Sequence, residues 1–159
     1  MKELDSYLND HLAGSVGALE VTAHWEHAHK GAPLGGFFGQ IEAEIKADQD
    51  RLRDVMCSLG VGESKVRKAG AWAAEKVGRA RLMIAGDEPD GLGLVLTLEG
   101  LIMGVHGKEL LWRALATLNL PQLKDFDFGE LQNRAQQQMQ RMDAERLRAA
   151  QRVFMNAPR

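Results

Sequence analysis

Apolar residues in this chain return every three or four positions, and this period constrains its fold more than any other feature. Leu4, Leu8, Leu12, Val16, Leu19 and Ala23 fall on one stripe of a helix. Leu34, Phe38, Ile41, Ile45, Leu52 and Val55 form a second, and Leu94, Leu98, Ile102 and Val105 a third. Phe128, Leu131, Ala135, Met139, Met142, Ala149 and Val153 form a fourth. The alternation of a half-buried strand is not sustained anywhere. Long one-sided helices must bury their stripes against one another, which predicts an all-α bundle.

Prolines and glycines set the expected boundaries. The first helix is predicted from Asp5 or Ser6 to about His29, ended by Lys30-Gly31. The second runs from Pro33, in its first turn, to Ser58 before Gly60-Val61-Gly62. A shorter helix over 64–84 has an inner face of small residues, among them Ala69, Gly70 and Ala73. After the turn Gly86–Gly91 a further helix runs to about Leu118, and the last starts near Phe126 or Phe128 and reaches Met155. Four main helices of this length would be roughly 40 Å long at 1.5 Å per residue. The short helix between two pairs reads as a crossover that spans the bundle. The whole of 1–159 is then one domain: a four-helix bundle made of two hairpins.

Composition excludes several classes. Twenty basic against twenty-two acidic residues give a net charge of -2, so no overall field draws in nucleic acid or an anionic membrane. One cysteine, Cys57, leaves no intramolecular disulfide and points to a reducing, cytoplasmic setting. No apolar run approaches the ~20 residues of a membrane span. The acidic opening Met1–Asp5 has no hydrophobic core segment, so no signal peptide is expected.

Three stretches carry a resemblance: Tyr7–Ser15 (YLNDHLAGS), Ala71–Lys76 (AWAAEK), and Gly104–Lys108 (GVHGK) followed by Leu111-Trp112. With the order of long and crossover helices, they resemble the ferritin-like superfamily, in particular small bacterial members with no assigned activity. The resemblance covers most of 5–118. It implies two helical hairpins whose relatives often hold two metal ions, using a Glu from each of two helices and a Glu-x-x-His from each of the others. Here the helix at 33–58 offers Glu42, Glu44 and Asp48 without a histidine, and no histidine follows His106 anywhere. Both Glu-x-x-His elements are therefore missing.

The remaining candidates come from spacing. Glu20/His27 and Glu99/His106 are each seven apart, on one face of their helices. Two carboxylates and imidazoles there could converge on a divalent ion, against the plainer reading of solvated side chains. Asp48 falls between Ile45 and Leu52, in the middle of an apolar stripe, so its carboxylate must be paired, protonated or metal-bound. Arg146 is one candidate partner. Glu20, Asp48, Glu99 and His106 make up the candidate metal set.

His24, His27 and His29 read as an exposed helix end. Lys65, Lys68, Trp72, Lys76 and Arg79 share one face of the 64–84 helix, which reads as solvated rather than as a nucleic-acid grip. Gly93, Gly100, Gly104 and Gly107 form a stripe that suggests close packing of another helix, in the bundle or across a dimer, or a need for room. Leu92, Leu96, Met103 and Leu110 form a second apolar face that would suit a homodimer. No catalytic constellation stands out. The expectation is a non-enzymatic ferritin-like bundle with a structural or interaction role, the usual di-metal site lost and no cofactor. The alternative is a carboxylate protein binding iron or manganese at a non-standard site.

Overall fold

Gly31 and Gly60 fix where the first two helices stop. Both adopt the left-handed conformation (φ 84° and 69°) that residues with a Cβ adopt at a cost. A computed structural model describes residues 2–63, 88 and 91–155. Helix α1 spans Lys2–Ala28 and α2 spans Pro33–Ser58, with Pro33 in the first turn. Beyond α2 the Val61 amide donates to Met56 O (2.8 Å) and the Gly60 amide to Cys57 O (3.1 Å), the paired bonds of a glycine-ended helix. The usual apolar contact comes with them, because Val61 and Met56 lie in one core cluster.

Helix α3 spans Leu92–Ala116 and α4 spans Phe128–Met155, joined through a 3-10 turn at Pro121–Leu123. Asp127 caps α4, its Oδ1 accepting the Glu130 amide at 2.9 Å. The described residues thus form four α-helices and no strand. The expected boundaries hold to within a few residues. The largest difference is the start of α1, which extends back to Lys2. The helix expected over 64–84, with its basic face, lies outside the described residues.

The core divides into two clusters. One gathers Leu8 and Leu12 of α1, Val55 and Met56 of α2, Trp112 of α3 and Phe128 of α4. The other gathers Trp25, Phe38, Ile41, Leu94, Leu98 and Met142 from the opposite halves of the same helices. This sharing fixes the directions. Helices α1 and α2 are antiparallel, as are α3 and α4, while α2 and α3 run the same way. The chain leaves α2 at one end of the bundle and enters α3 at the other. Most contact between helices lies within the two hairpins, with a thinner seam between α1 and α3.

Packing contradicts one reading of the glycine stripe. Only Gly93 is buried. A Cβ built on Gly100, Gly104 or Gly107 meets no described atom within 4 Å, so no described helix presses on them there. The second apolar face of α3 stands open, with Leu92 50%, Leu96 40%, Met103 74% and Leu110 44% exposed. No described helix is long and apolar enough to cross a membrane.

Candidate functional site

Between the two apolar clusters the bundle carries a buried polar centre. Asp48, at mid-length in α2, is only 2% exposed. A carboxylate so placed loses its hydration and needs donors in exchange. Lys108 of α3 supplies the first, its Nζ 2.5 Å from Asp48 Oδ2. Gln138 of α4 supplies the second, its Nε2 donating to the same oxygen at 3.1 Å. Lys108 also donates to Gln138 Oε1 at 2.6 Å, which closes a triangle across three helices. Arg134, one turn earlier on α4, places Nη2 2.9 Å from Asp48 Oδ1. Its N–H groups are not aligned on that oxygen, which has no directed hydrogen bond, so this contact is coulombic.

One anion therefore faces two cations. Burial pulls the Lys108 ammonium below the ordinary lysine range, and the neighbouring Asp48 charge acts against that shift. Beside the triangle, buried Gln49 donates from Nε2 to Ser15 Oγ (2.9 Å) and accepts from Arg53 Nη1 (2.6 Å), which ties α2 to α1. On the outer side of α4, Arg141 grips Glu44 with both terminal nitrogens.

A cavity of about 490 Å³ opens beside Lys108, between α1, α2 and α3. Ile45, Leu52, Leu101, Val105 and Leu111 give it apolar walls, and Lys108 with Asp48 gives it a polar depth. Tyr7, Asp10 and His11 of α1 also line it, with the Tyr7 and His11 rings edge to face at 4.6 Å. Burial holds His11 below the usual imidazole range, and Asp10 opposes this shift. Gly14 and Gly104 line the same cavity with open space where a Cβ would stand.

The four candidate metal residues are placed apart in role. Asp48 is bound up in the triangle. Glu20 is exposed on α1. Glu99 is half-exposed and lies 3.5 Å from Arg146. His106 is exposed and directs Nδ1 to Glu109 Oε2 at 3.2 Å. No three His, Cys, Asp or Glu side chains among the described residues come together as a metal-holding group. Arg146, the partner considered for Asp48, instead pairs with Asp143 at 2.7 Å and with Glu99. In the histidine cluster, His29 stacks on Trp25 (5.3 Å) and His27 is exposed. Cys57 is a free, exposed thiol.

Sequence reasoning singled out Asp48 but not its partners, although a signal existed. Lys108 falls three after Val105 and four before Trp112, on the core face of α3. Gln138 falls three after Ala135 and four before Met142, on the core face of α4. Polar side chains at core positions of three helices are the trace of a shared buried layer.

No family model, curated protein or solved structure matches this chain.

Proposed function

We propose that this chain is a non-enzymatic helical bundle of ferritin-like topology, with a structural or interaction role, and that side-chain cations hold its centre together. One observation carries the reading: Lys108 Nζ occupies Asp48 Oδ2, where a metal ion would need a free carboxylate oxygen. The other buried carboxylate among the described residues, Glu109, accepts from Gln136 and faces His106. A divalent ion at Asp48 would have to displace Lys108 and stand near Arg134, against their repulsion. The parallel run of α2 and α3 agrees with the two-hairpin topology that the resemblance implies. The exposed α3 face of Leu92, Leu96, Met103 and Leu110 is the surface on which two copies would pair.

Elemental analysis of natively purified protein tests the reading. The expected result is iron, manganese and zinc well below one per chain, with no ferroxidase activity. Stoichiometric metal that disappears in Glu20→Ala or Glu99→Ala would overturn it in favour of a metal-binding carboxylate protein.

A further inference from the structure

The cavity between α1, α2 and α3 holds about 490 Å³, within the roughly 300–1,000 Å³ typical of small-molecule sites. Ile45, Asp48, Gln49 and Leu52 of α2 form its floor, and all four are buried. Its rim has exposed Tyr7, Asp10 and Gly14 on the α1 side and exposed Gly104 on the α3 side. The lining carries two carboxylates, Asp10 and Asp48, against the one ammonium of Lys108. At the floor Asp48 and Lys108 answer each other. At the rim Asp10 pairs with no lysine or arginine among the described residues. Its neighbour His11 is held towards the neutral form by burial. The excess negative charge of the cavity therefore sits at its rim. Tyr7, Asp10, His11 and Gly14 share one face of α1, and the Tyr7 and His11 rings pack edge to face at 4.6 Å. A carboxylate among aromatic rings suits an organic cation, because it supplies the counter-charge while ring faces attract the cation.

We propose that this cavity binds an amphiphilic cation, an amine on a hydrocarbon chain. Its ammonium lies at Asp10 beside Tyr7, and its chain lies along Leu52, Leu101, Val105 and Leu111. Lys108 sets this orientation. Its own ammonium is engaged by Asp48 and Gln138 and offers a second cation no partner, so the head stays at the rim and the chain enters. The chain displaces water from an apolar wall. Gly14 and Gly104 keep the rim open, since neither puts a side chain into it. The site is separate from the exposed α3 face of Leu96 and Met103, which does not line it.

Titration calorimetry of the full chain with decylamine, decanol and decanoate, all below their micelle thresholds, tests the site. Decylamine is expected to bind once per chain, about fivefold or more tighter than decanol, with decanoate weaker than both. Asp10→Asn, at an exposed position outside the buried triangle, keeps the fold and should bring decylamine down to the affinity of decanol. Gly104→Leu fills the opening without meeting a described atom at its Cβ, and should weaken decylamine and decanol alike, by about tenfold. Gly100→Leu, one turn away and outside the cavity, should leave both affinities unchanged. Absence of decylamine binding, equal affinity for decylamine and decanol, a preference that survives Asp10→Asn, or unchanged binding in Gly104→Leu would each overturn the proposal.

Discussion

Lys108 Nζ lies 2.5 Å from Asp48 Oδ2, although sixty residues of chain separate them. Removing one partner of such a pair leaves the other buried and uncompensated. Asp48→Asn keeps the shape of the side chain but leaves Lys108 and Arg134 facing each other across a neutral amide. We expect it to cost about 3 kcal/mol in chemical denaturation. Asp48→Asn combined with Lys108→Met should cost less than the sum of the two single changes, by about 1 kcal/mol or more. A coupling near zero would show that the pair does not hold the hairpins together.

Two adjacent glycines should respond to the same substitution with opposite sign. A Cβ on Gly35 collides with the backbone carbonyl of His29, in the turn that joins α1 to α2. A Cβ on Gly36 meets nothing within 4 Å. Gly35→Ala should destabilise by about 2 kcal/mol through overpacking against rigid backbone. Gly36→Ala should stabilise by roughly 0.5–1 kcal/mol, because it removes unfolded-state freedom from a helical position. Thermal melts of the two variants against the parent give both signs, and equal shifts would mean that the α1–α2 turn is looser than described.

Glu109 should contribute to acid sensitivity. The Gln136 amide donates to its carboxylate at 2.8 Å and, with His106, holds it below the usual carboxylate range. A depressed folded-state value means that the unfolded chain binds more protons. The contribution is present above the unfolded value, about 4.3, and is lost as pH falls through the folded value. Gln136→Ala should therefore flatten the loss of stability on acidification below about pH 4.3. Denaturation midpoints measured across that range check the slope, and an unchanged slope would remove Glu109 from the account.

The open face of α3 should determine the oligomeric state. Met103, 74% exposed, is its most exposed large residue. Light scattering at micromolar concentration should return twice the 17.5 kDa chain mass. Met103→Glu should return the single-chain mass, since it buries a charge in the pairing surface. A single-chain mass for the unaltered protein would rule out the dimer.

Helix positions were legible because local chemistry sets them. Pro33 begins α2, Gly31 and Gly60 supply left-handed turns, and the stripe from Phe128 to Val153 runs without a proline. Lys2 was missed as the start of α1 because no capping residue marks that end. Asp48 was legible as an anomaly, since a charge in an apolar stripe is visible in one dimension. Its partner was not. Whether Arg146 or Lys108 reaches it depends on how far one hairpin slides along the other, and periodicity within a helix carries no information on that. The glycine stripe was ambiguous for the same reason, because it shows room without showing whether a neighbour fills it.

The split of the core into two apolar halves around one charged level has a consequence for docking accuracy. Apolar stripes of Leu, Ile and Val are nearly self-similar under a shift of one helical turn, about 5.4 Å, so they discriminate poorly between adjacent registers. Asp48 does discriminate. Slid by one turn, its carboxylate would lose both hydrogen bonds of the triangle, and the buried Lys108 would lose its counter-charge. Each hairpin closes over a short stretch of chain and can form early, whereas the triangle joins segments far apart in sequence. The polar centre thus adds to docking what the apolar stripes lack, a register: only the aligned hairpins give Asp48 its two hydrogen-bond donors.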